Sequence, residues 1–429
     1  MGKLIRLLFD HGPLPVLVKG SLPAITTILL SSCATDPAPR PGSRSPEDRP
    51  TRFHQVATVD AMPSSIPEIF DTGPQIKIKM LELIESAEDY ILIDSFLLTT
   101  DATSRPVMEA LERKHRAGVR IFVVGDSSSR YTGREAGFRF LEDAGIPCVE
   151  YNPMRVYKLL VAPVMLPRDH RKFWVIDGKV LFLGGANIIA TSLDPLEAGG
   201  NHDLMAAVES PEAIAKMVRS FVAVWNASSP QKLDPGSFPV SAGKEAETAL
   251  WLYDQNNPGK GDRAILEMMD SLFAIAREEV WLVQPYTFVT PGLLKRIRSL
   301  TARGVAVNLV LSGRFQAPRF RYASYYGIRD TLQAGGKVWI YEAGAGVLHA
   351  KAFVVDARCI SLGSSNLNYR SYRLSKEANL VFDDPKSARA LLPVLEKLKA
   401  KCRPVDHEEA GRYRTPKYFF TWLKMHLMG

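Results

Sequence analysis

Two apolar stretches of the chain each carry a histidine and a lysine two residues apart. The first runs from Asp169 to Asn187, DHRKFWVIDGKVLFLGGAN, and the second from Leu348 to Asn366, LHAKAFVVDARCISLGSSN. Both follow one spacing: His-x-Lys, four residues, Asp, six residues, Gly, a small residue, any residue, Asn. Lysine and asparagine can hold phosphate oxygens, a neutral histidine can attack phosphorus, and a second histidine can protonate the leaving oxygen. The two stretches together therefore predict chemistry on a phosphodiester.

A β-hairpin is the element that would assemble the first set of side chains. Alternation along a strand places His170 and Lys172 on one face. Asp177-Gly178 is a turn dipeptide between two apolar runs, so a hairpin centred there brings the segment that ends at Asn187 back alongside His170.

The second stretch has the same geometry around Asp356-Ala357, which brings Ser364 and Asn366 back to His349. Each hairpin supplies one histidine, whereas the predicted chemistry uses two. Two halves that face each other across a pseudo-twofold axis would supply both, which explains why the stretch occurs twice.

The predicted site combines the motif residues with two acids outside the motifs. The predicted catalytic set is His170, Lys172, Asp177, His349, Lys351 and Asp356. Its two aspartates are expected to fix the turn and local pairing rather than to touch substrate. Phosphate binding is assigned to Asn187, Ser364 and Asn366. Each histidine also needs a carboxylate that orients its ring, and the sequence offers Asp203 in the first half and Glu377 in the second.

Both acids stand just before an apolar strand, and His202 beside Asp203 is expected to be incidental. No metal or cofactor is expected, because Cys148, Cys359 and Cys402 lack the spacing of a ligand set. We expect buried free thiols, with a disulfide between two of them as the alternative in an exported protein.

The duplication extends well beyond the motifs. YILIDSFLLTTD at 90–101 matches VWLVQPYTFVTP at 280–291, and LEDAGIPCVEY at 141–151 matches LQAGGKVWIYE at 332–342. Strands and helices alternate in both halves. We therefore predict an α/β protein of two duplicated domains, each a mainly parallel mixed sheet flanked by helices. The predicted domains cover 61–235 and 236–405, with the boundary in a segment rich in turn formers.

The N-terminal region is typical of an export signal. Residues 1–32 place basic residues ahead of the apolar segment LPAITTILLSSCA, which resembles the lipobox of bacterial lipoproteins. That resemblance implies cleavage before Cys33, lipidation of Cys33, and anchoring on the periplasmic face of the bacterial cell envelope. Residues 33–60 are expected to be a disordered tether. An uncleaved signal anchor is the alternative.

Charge and the C-terminal residues indicate an anionic partner. The net charge of +8 favours phospholipid head groups or nucleic acid, although a basic surface without a specific partner also fits. The basic and aromatic tail 406–429 fits either a membrane interface or a helix docked on its own domain. No apolar run reaches about 18 residues, so no strong membrane-spanning helix is predicted.

The two motifs resemble the HxKxxxxD signatures of the phospholipase D superfamily. Within it, RDHRKFWVIDGKVLFLGGANI at 168–188 looks most like bacterial cardiolipin synthases and related phospholipase D-like proteins. The resemblance covers residues from about 65 to 400. It implies a metal-independent, two-step transfer through a phosphohistidine, with His170 favoured as nucleophile and His349 as acid and base. The near symmetry of the motifs leaves that order open.

The first half departs from the second at two positions. Gly185 stands where the second half has Ser364, so one hydroxyl is absent. Asp203 stands where the resembling family commonly has Glu, which shortens the reach to the histidine ring. Neither departure removes a motif residue, so an active enzyme is expected.

Three functional classes remain from the sequence. The first is phosphatidyl transfer on anionic phospholipid at a membrane surface, with cardiolipin synthesis as the leading case. The second is hydrolysis by a phospholipase D, phosphodiesterase or nuclease, and the third is a silent binding module. Nucleic acid is not expected, because no aromatic-lined basic stretch is evident and a lipid tether favours a membrane substrate.

The apolar insert in 152–169 is expected either to border the active-site mouth and meet acyl chains, or to be an ordinary packed loop. The oligomeric state stays open.

Overall fold

Two β-sheets, one centred on each half of the chain, organise the computed structural model, which describes residues 52–131, 135–153, 167–243 and 245–428. The α/β organisation with two sheets flanked by helices is confirmed. The predicted signal, Cys33, most of the predicted tether and residues 154–166 of the apolar insert lie outside the described residues.

The first sheet has the strand order β2-β9-β8-β7-β3-β4-β5, and the second β1-β10-β16-β15-β14-β11-β12-β13-β17, with β6 paired to β16. In chain order the strands are β1 (Met62–Ser64), β2 (Glu68–Thr72), β3 (Tyr90–Ser95), β4 (Arg120–Asp126), β5 (Cys148–Tyr151), β6 (Arg168–Asp169), β7 (Lys172–Ile176), β8 (Val180–Gly184), β9 (His202–Val208), β10 (Thr248–Gln255), β11 (Glu279–Val283), β12 (Ala306–Ser312), β13 (Lys337–Tyr341), β14 (Ala352–Val355), β15 (Cys359–Gly363), β16 (Ser375–Asp383) and β17 (Cys402–Pro404).

The prediction of mainly parallel sheets is wrong. Parallel pairing joins only β3 to β4 to β5 and β11 to β12 to β13 along the two sheets. The other neighbours along the sheets are antiparallel. Parallel neighbours need a long crossover connection, whereas each histidine motif is a tight hairpin that fixes two successive strands as antiparallel.

Helices cover the outer face of each sheet, and the two inner faces share one apolar core. In chain order the helices are α1 (Gly73–Ser86), α2 (Arg105–Arg116), α3 (Ser128–Tyr131), α4 (Ala136–Asp143), α5 (Ala190–Leu193), α6 (Pro211–Ser228), α7 (Ala264–Ile275), α8 (Pro291–Ala302), α9 (Pro318–Tyr326), α10 (Ile328–Gln333), α11 (Tyr369–Arg373), α12 (Pro385–Lys399), α13 (His407–Gly411) and α14 (Pro416–Met428). α1, α2 and α4 pack on the first sheet, and α7 and α8 on the second. The shared core includes α6 and α12.

α6 shows how the sequence forms these elements. Proline occupies its first turn, where its missing N–H costs no hydrogen bond. Met217, Phe221 and Val224 recur every three to four residues and are buried in the shared core. The helix therefore ties the inner faces of both sheets together and holds the motif hairpins at a fixed separation.

The described N-terminal residues pack on the second half of the chain. Phe53 is fully buried, its ring centroid lies 5.1 Å from that of Trp251, and its N–H donates to Asp383. The prediction of a disordered tether is therefore wrong for residues 52–60, because burial of a large aromatic side chain offsets the entropy of ordering them. β1 likewise pairs with β10 of the second sheet.

The C-terminal tail is a helix docked on its own domain, which was the second of the two expectations for it. In α14, Tyr418 packs edge-on against Tyr322 of α9 with ring centroids 4.9 Å apart, and Trp422 Nε1 donates to the carbonyl of Val289. No helix of the described residues has the length and apolar character that crossing a bilayer demands.

The expectation of buried free thiols holds for Cys359 only, because Cys148 and Cys402 are partly exposed. Cys148, Cys359 and Cys402 are all free, and Cys359 is fully buried.

Candidate active site

Both motif hairpins form as predicted. β7 pairs with β8 and β14 with β15 in antiparallel register. Each turn has two central residues with positive φ: 49° and 63° at Asp177 and Gly178, and 50° and 49° at Asp356 and Ala357. This is the turn geometry that matches the twist of paired strands.

The two motif aspartates hold the framework and lie at the turn end of each hairpin, away from the histidines. The carboxylate of Asp177 accepts hydrogen bonds from the backbone N–H groups of Glu88, Asp89 and Tyr90, at 2.8 to 2.9 Å. Asp356 accepts the equivalent bonds from residues 277 to 279. The aspartates therefore anchor the start of β3 and β11 to the hairpins.

Asp203 and Glu377 each contact a motif histidine, but their expected pairing within each half is wrong. Nδ1 of His170 lies 3.1 Å from Oε2 of Glu377, and Nδ1 of His349 lies 2.6 Å from Oδ2 of Asp203. Each ring is therefore oriented by the other half of the chain. The shorter side chain of Asp203 reaches its partner at the shorter distance.

Strand pairing across the halves causes this exchange. β6, just before His170, pairs with the start of β16, which carries Glu377. Reciprocally, Leu348 forms a bridge with His202, the residue before Asp203. His202 also contacts the Tyr341 hydroxyl through Nδ1 at 3.0 Å.

The hydroxyl of Ser364, which the sequence assigns to phosphate binding, contacts Glu377 instead. Its side chain is buried and its hydroxyl donates to Oε2 of Glu377, while Ser371 donates to Oε1 at 2.6 Å. Ser364 also accepts the N–H of Ala378 at 3.0 Å. Its hydroxyl lies behind the carboxylate and orients it.

The two departures of the first half have one cause. A Cβ placed on Gly185 would lie 2.1 Å from Oδ1 of Asp203. The aspartate carboxylate therefore occupies the space in which Ser364 stands in the second half. Gly185 and Asp203 form one matched arrangement, and Ser364 and Glu377 form the other.

One cleft of about 310 Å³ collects predicted site residues from both halves. Its lining includes His170, His349, Asn187, Asn366 and Glu377. The side-chain oxygen of Asn187 accepts the N–H of residue 97 at 3.0 Å, which directs the amide NH₂ away from that bond. The structure therefore brings together both histidines and both predicted asparagines.

Several lining residues were missed at the sequence level. Phe96 packs edge-on against His170 with ring centroids 4.8 Å apart, and Lys172 Nζ lies 4.9 Å from the centroid of the Phe96 ring. Tyr286, Arg168 and Arg370 line the same cleft. Arg168 had a detectable signal, because strand alternation places it on the face of His170 and Lys172.

Electrostatics within the cleft favour an anionic ligand. Burial lowers the pKa of Lys172 to about 7 and that of Lys351 to about 8. Two ammonium groups held in a desolvated site gain most from a bound phosphate, which restores their charged form. Lys351 Nζ lies 3.2 Å from Nε2 of His349, the position that the phosphoryl group would approach.

Lowered pKa values favour the neutral form of both imidazoles at neutral pH. Burial lowers the pKa of His170 to about 4, Lys172 adds to the lowering, and Glu377 opposes it. Burial and then Lys351 lower the pKa of His349, while Asp203 opposes the change. We assign the Nδ1 proton of each ring to its bond with the carboxylate, an assignment that leaves the Nε2 lone pairs for attack.

The described residues contain no group of three metal-ligating side chains. The histidines and carboxylates of the cleft instead pair with each other.

Comparisons with known proteins agree with this geometry. A family model described as "Cardiolipin synthase, PLD-like domain" matches residues 80–225 and 269–399, more than half of the chain. Cardiolipin synthase 1 of Staphylococcus epidermidis is 26% identical over 333 residues, covering 77% of this chain and 67% of that protein. Cardiolipin synthase of Listeria welshimeri is 28% identical over 329 residues, covering 76% and 67%.

Solved structures share the fold at lower identity. Phosphatidylserine synthase of Haemophilus influenzae has a TM-score of 0.68 at 15% identity and covers 88% of this chain and 96% of its own. Polyphosphate kinase of Porphyromonas gingivalis has a TM-score of 0.54 at 14% identity, covering 91% and 56%.

Proposed function

Because the chain belongs to the cardiolipin synthase, phospholipase D-like domain family, we propose that it is a phosphatidyltransferase that makes a cardiolipin-like product from anionic phospholipids through a phosphohistidine. The observation that carries this proposal is the crossed pair of bonds, His170 to Glu377 and His349 to Asp203, across one cleft. Two imidazoles held as Nδ1–H tautomers offer two Nε2 atoms to one phosphodiester, which a two-step transfer requires.

In the first step, Nε2 of His170 attacks the phosphorus of the donor lipid. A nitrogen–phosphorus bond forms, the phosphorus–oxygen bond to the headgroup alcohol breaks, and protonated His349 gives its Nε2 proton to that oxygen. Glu377 accepts a hydrogen bond from Nδ1–H of His170 and stabilises the positive charge that the ring gains.

In the second step, the acceptor hydroxyl takes the place of the departed alcohol. His349 removes its proton, the acceptor oxygen bonds to phosphorus, and the bond to His170 breaks. The lysines and asparagines stabilise the phosphoryl oxygens in both steps. His349 ends protonated, as it began, so no further reactant is needed.

Substrate binding supplies the protonation state that the acid needs. Burial and the neighbouring lysines disfavour imidazolium. An anionic phosphodiester offsets the charge of the lysines and favours protonation of the histidine beside the leaving oxygen. The same buried pair can therefore provide one neutral nucleophile and one acid.

The test uses the purified full chain with acyl-labelled phosphatidylglycerol in mixed micelles. Formation of cardiolipin and glycerol supports the proposal. If phosphatidic acid is the only lipid product, the activity is hydrolysis rather than transfer. If neither the wild type nor His170→Ala forms a product, the protein is better explained as a binding module.

A second experiment tests the order of the histidines. A phosphatidyl donor with a p-nitrophenol leaving group needs little acid assistance, so His349→Ala should form the intermediate and release it slowly. After an alkaline quench, a labelled peptide containing His170 supports His170 as nucleophile. The roles would be reversed if the variant His170→Ala carried label on its His349 peptide while the variant His349→Ala carried none on its His170 peptide.

The approach to the membrane belongs to the same proposal. Phe419 and Phe420 of α14 are 37% and 64% exposed, and Lys417 lies beside them. α14 packs on α9, whose Phe320 lines the cleft. This face would rest on anionic lipid and present the cleft to the head groups. A lipid on Cys33 would hold the protein at the periplasmic face of the envelope.

A further inference from the structure

The catalytic groups of the cleft are symmetric enough that corresponding positions of the two halves can be matched through their backbone bonds. The N–H of His170 donates to the carbonyl of Lys376, and the N–H of His349 donates to the carbonyl of His202. The residue after each of these acceptors is the carboxylate that orients the histidine.

The ends of the hairpins match in the same way. The N–H of Asn187 donates to the hydroxyl of Ser192 at 3.2 Å, and the N–H of Asn366 donates to the hydroxyl of Ser371 at 3.1 Å. The offset is five residues in both halves. Positions counted from the histidines and asparagines are therefore structurally equivalent.

Two equivalent positions differ in charge. Two residues before the histidine, the first half has Arg168 and the second has Val347. Four residues after the asparagine, the second half has Arg370 and the first has Thr191. Both arginines line the cleft, and so does Val347. Val347 and Thr191 also line a neighbouring cavity of about 490 Å³. Symmetry thus places the arginines at one end of the cleft and two neutral residues at the other.

The two arginines lie close enough for their charges to repel each other. Burial lowers the pKa of Arg370, and the nearby Arg168 lowers it further, while Asp126 opposes the change. Among the described residues, Arg168 uses only Nη1 for its hydrogen bonds, to Ser127, Asp126 and the carbonyl of Asn152. A phosphate would offset the repulsion and accept hydrogen bonds from both guanidinium groups.

The shared phosphohistidine chemistry does not explain the arginines, since the other end of the cleft has no charged residue at the equivalent positions. We propose that Arg168 and Arg370 bind a second phosphate, that of the acceptor lipid, so that the preferred acceptor is an anionic alcohol. The proposal rests on the proposed transferase function. In such an acceptor, a glycerol unit separates the reacting hydroxyl from the acceptor's own phosphate. The phosphate would bind the two arginines while the hydroxyl reaches the phosphohistidine.

The symmetry supplies the test variants. Arg168→Val and Arg370→Thr install the residues that the other half carries at the same positions. Arg389→Thr on the exposed face of α12 is the charge-matched control. With labelled phosphatidylglycerol as donor, cardiolipin formation reports the anionic acceptor, and exchange with labelled glycerol reports a neutral acceptor.

We expect the double variant to lose about 10- to 100-fold in cardiolipin formation through the acceptor KM, the effect of losing charge-assisted hydrogen bonds. Glycerol exchange should change less than about threefold, and Arg389→Thr should change neither rate. Arg370→Thr alone leaves the contact of Arg168 with Asp126 intact, so it provides the same comparison if the double variant is unstable. Equal losses in cardiolipin formation and exchange, or no loss in either, would overturn the subsite.

A separate readout keeps the two proposals distinguishable. If the wild type only hydrolyses the donor, the transferase proposal fails, and inhibition of that hydrolysis by glycerol 3-phosphate then tests the subsite. At least about tenfold weaker inhibition in the double variant supports a phosphate subsite. Equal inhibition of variant and wild type refutes it.

Discussion

Replacing the histidine-orienting acids one at a time tests the crossed pairing directly. Glu377→Gln removes the negative charge 3.1 Å from His170, and Asp203→Asn removes the one 2.6 Å from His349. Each carboxylate raises the pKa of the histidine that it contacts. Glu377→Gln should therefore lower the pKa of His170 further and leave that of His349 almost unchanged, and Asp203→Asn should do the opposite.

The catalytic cost follows from the hydrogen bond that each acid accepts. A hydrogen bond to a charged group contributes about 1.5 to 3 kcal/mol. Each 1.36 kcal/mol is a factor of ten in rate, so kcat should fall about 10- to 160-fold. An amide can also donate to Nδ1 and invert the tautomer, which would take the loss to about 10⁴-fold. The shorter bond predicts the larger loss for Asp203→Asn.

The assay combines kcat for phosphatidyl transfer with proton-sensitive NMR of the histidine rings, labelled at Nε2 and Nδ1. His170→Ala and His349→Ala assign the two resonances. Thermal unfolding of each variant shows whether the fold is kept. The crossed arrangement is refuted if Glu377→Gln shifts the pKa of His349 and spares His170.

Four further predictions follow from the same contacts. Deprotonation of Lys172 removes a positive charge as pH rises through about 7. The KM for an anionic donor should therefore rise up to about tenfold per pH unit above that point in pH-dependent steady-state kinetics. Gly185→Ala should lower kcat at least about tenfold, because its Cβ would meet the Asp203 carboxylate at 2.1 Å, whereas unchanged kcat would refute the matched arrangement. Asp177→Ala leaves three backbone N–H groups without their acceptor, so it should lower the free energy of unfolding by about 3 kcal/mol in a denaturant titration. The kcat of the folded variant should change less than about threefold. Phe420→Asp should reduce activity on anionic vesicles about tenfold or more and spare a short-chain soluble donor, and equal losses on both would exclude the proposed membrane face.

Local sequence determined the parts of the site that lie close together in the chain. The His-x-Lys spacing and the turn residues are separated by only a few positions, so strand alternation and the turn geometry at Asp177-Gly178 are sufficient to predict each hairpin. The repeated motifs likewise predict two similar halves. The same local reasoning identified Asp203 and Glu377, because both precede an apolar strand at matching positions.

Only the tertiary structure decided which acid serves which histidine. The pairing depends on β6 lying beside β16, an interaction across some 200 residues that no local pattern encodes. It also decided that Ser364 supports Glu377 rather than phosphate, because the hydroxyl is buried behind the carboxylate.

The balance of parallel and antiparallel strands was beyond local reasoning for the same reason. Strand direction follows from which strands become neighbours, and the motif hairpins insert antiparallel pairs into each sheet. The position of Arg168 and Arg370 at one end of the cleft emerges only when the halves face each other. The sequence thus determined the candidate site residues, and the packing of two sheets decided how each half completes the other.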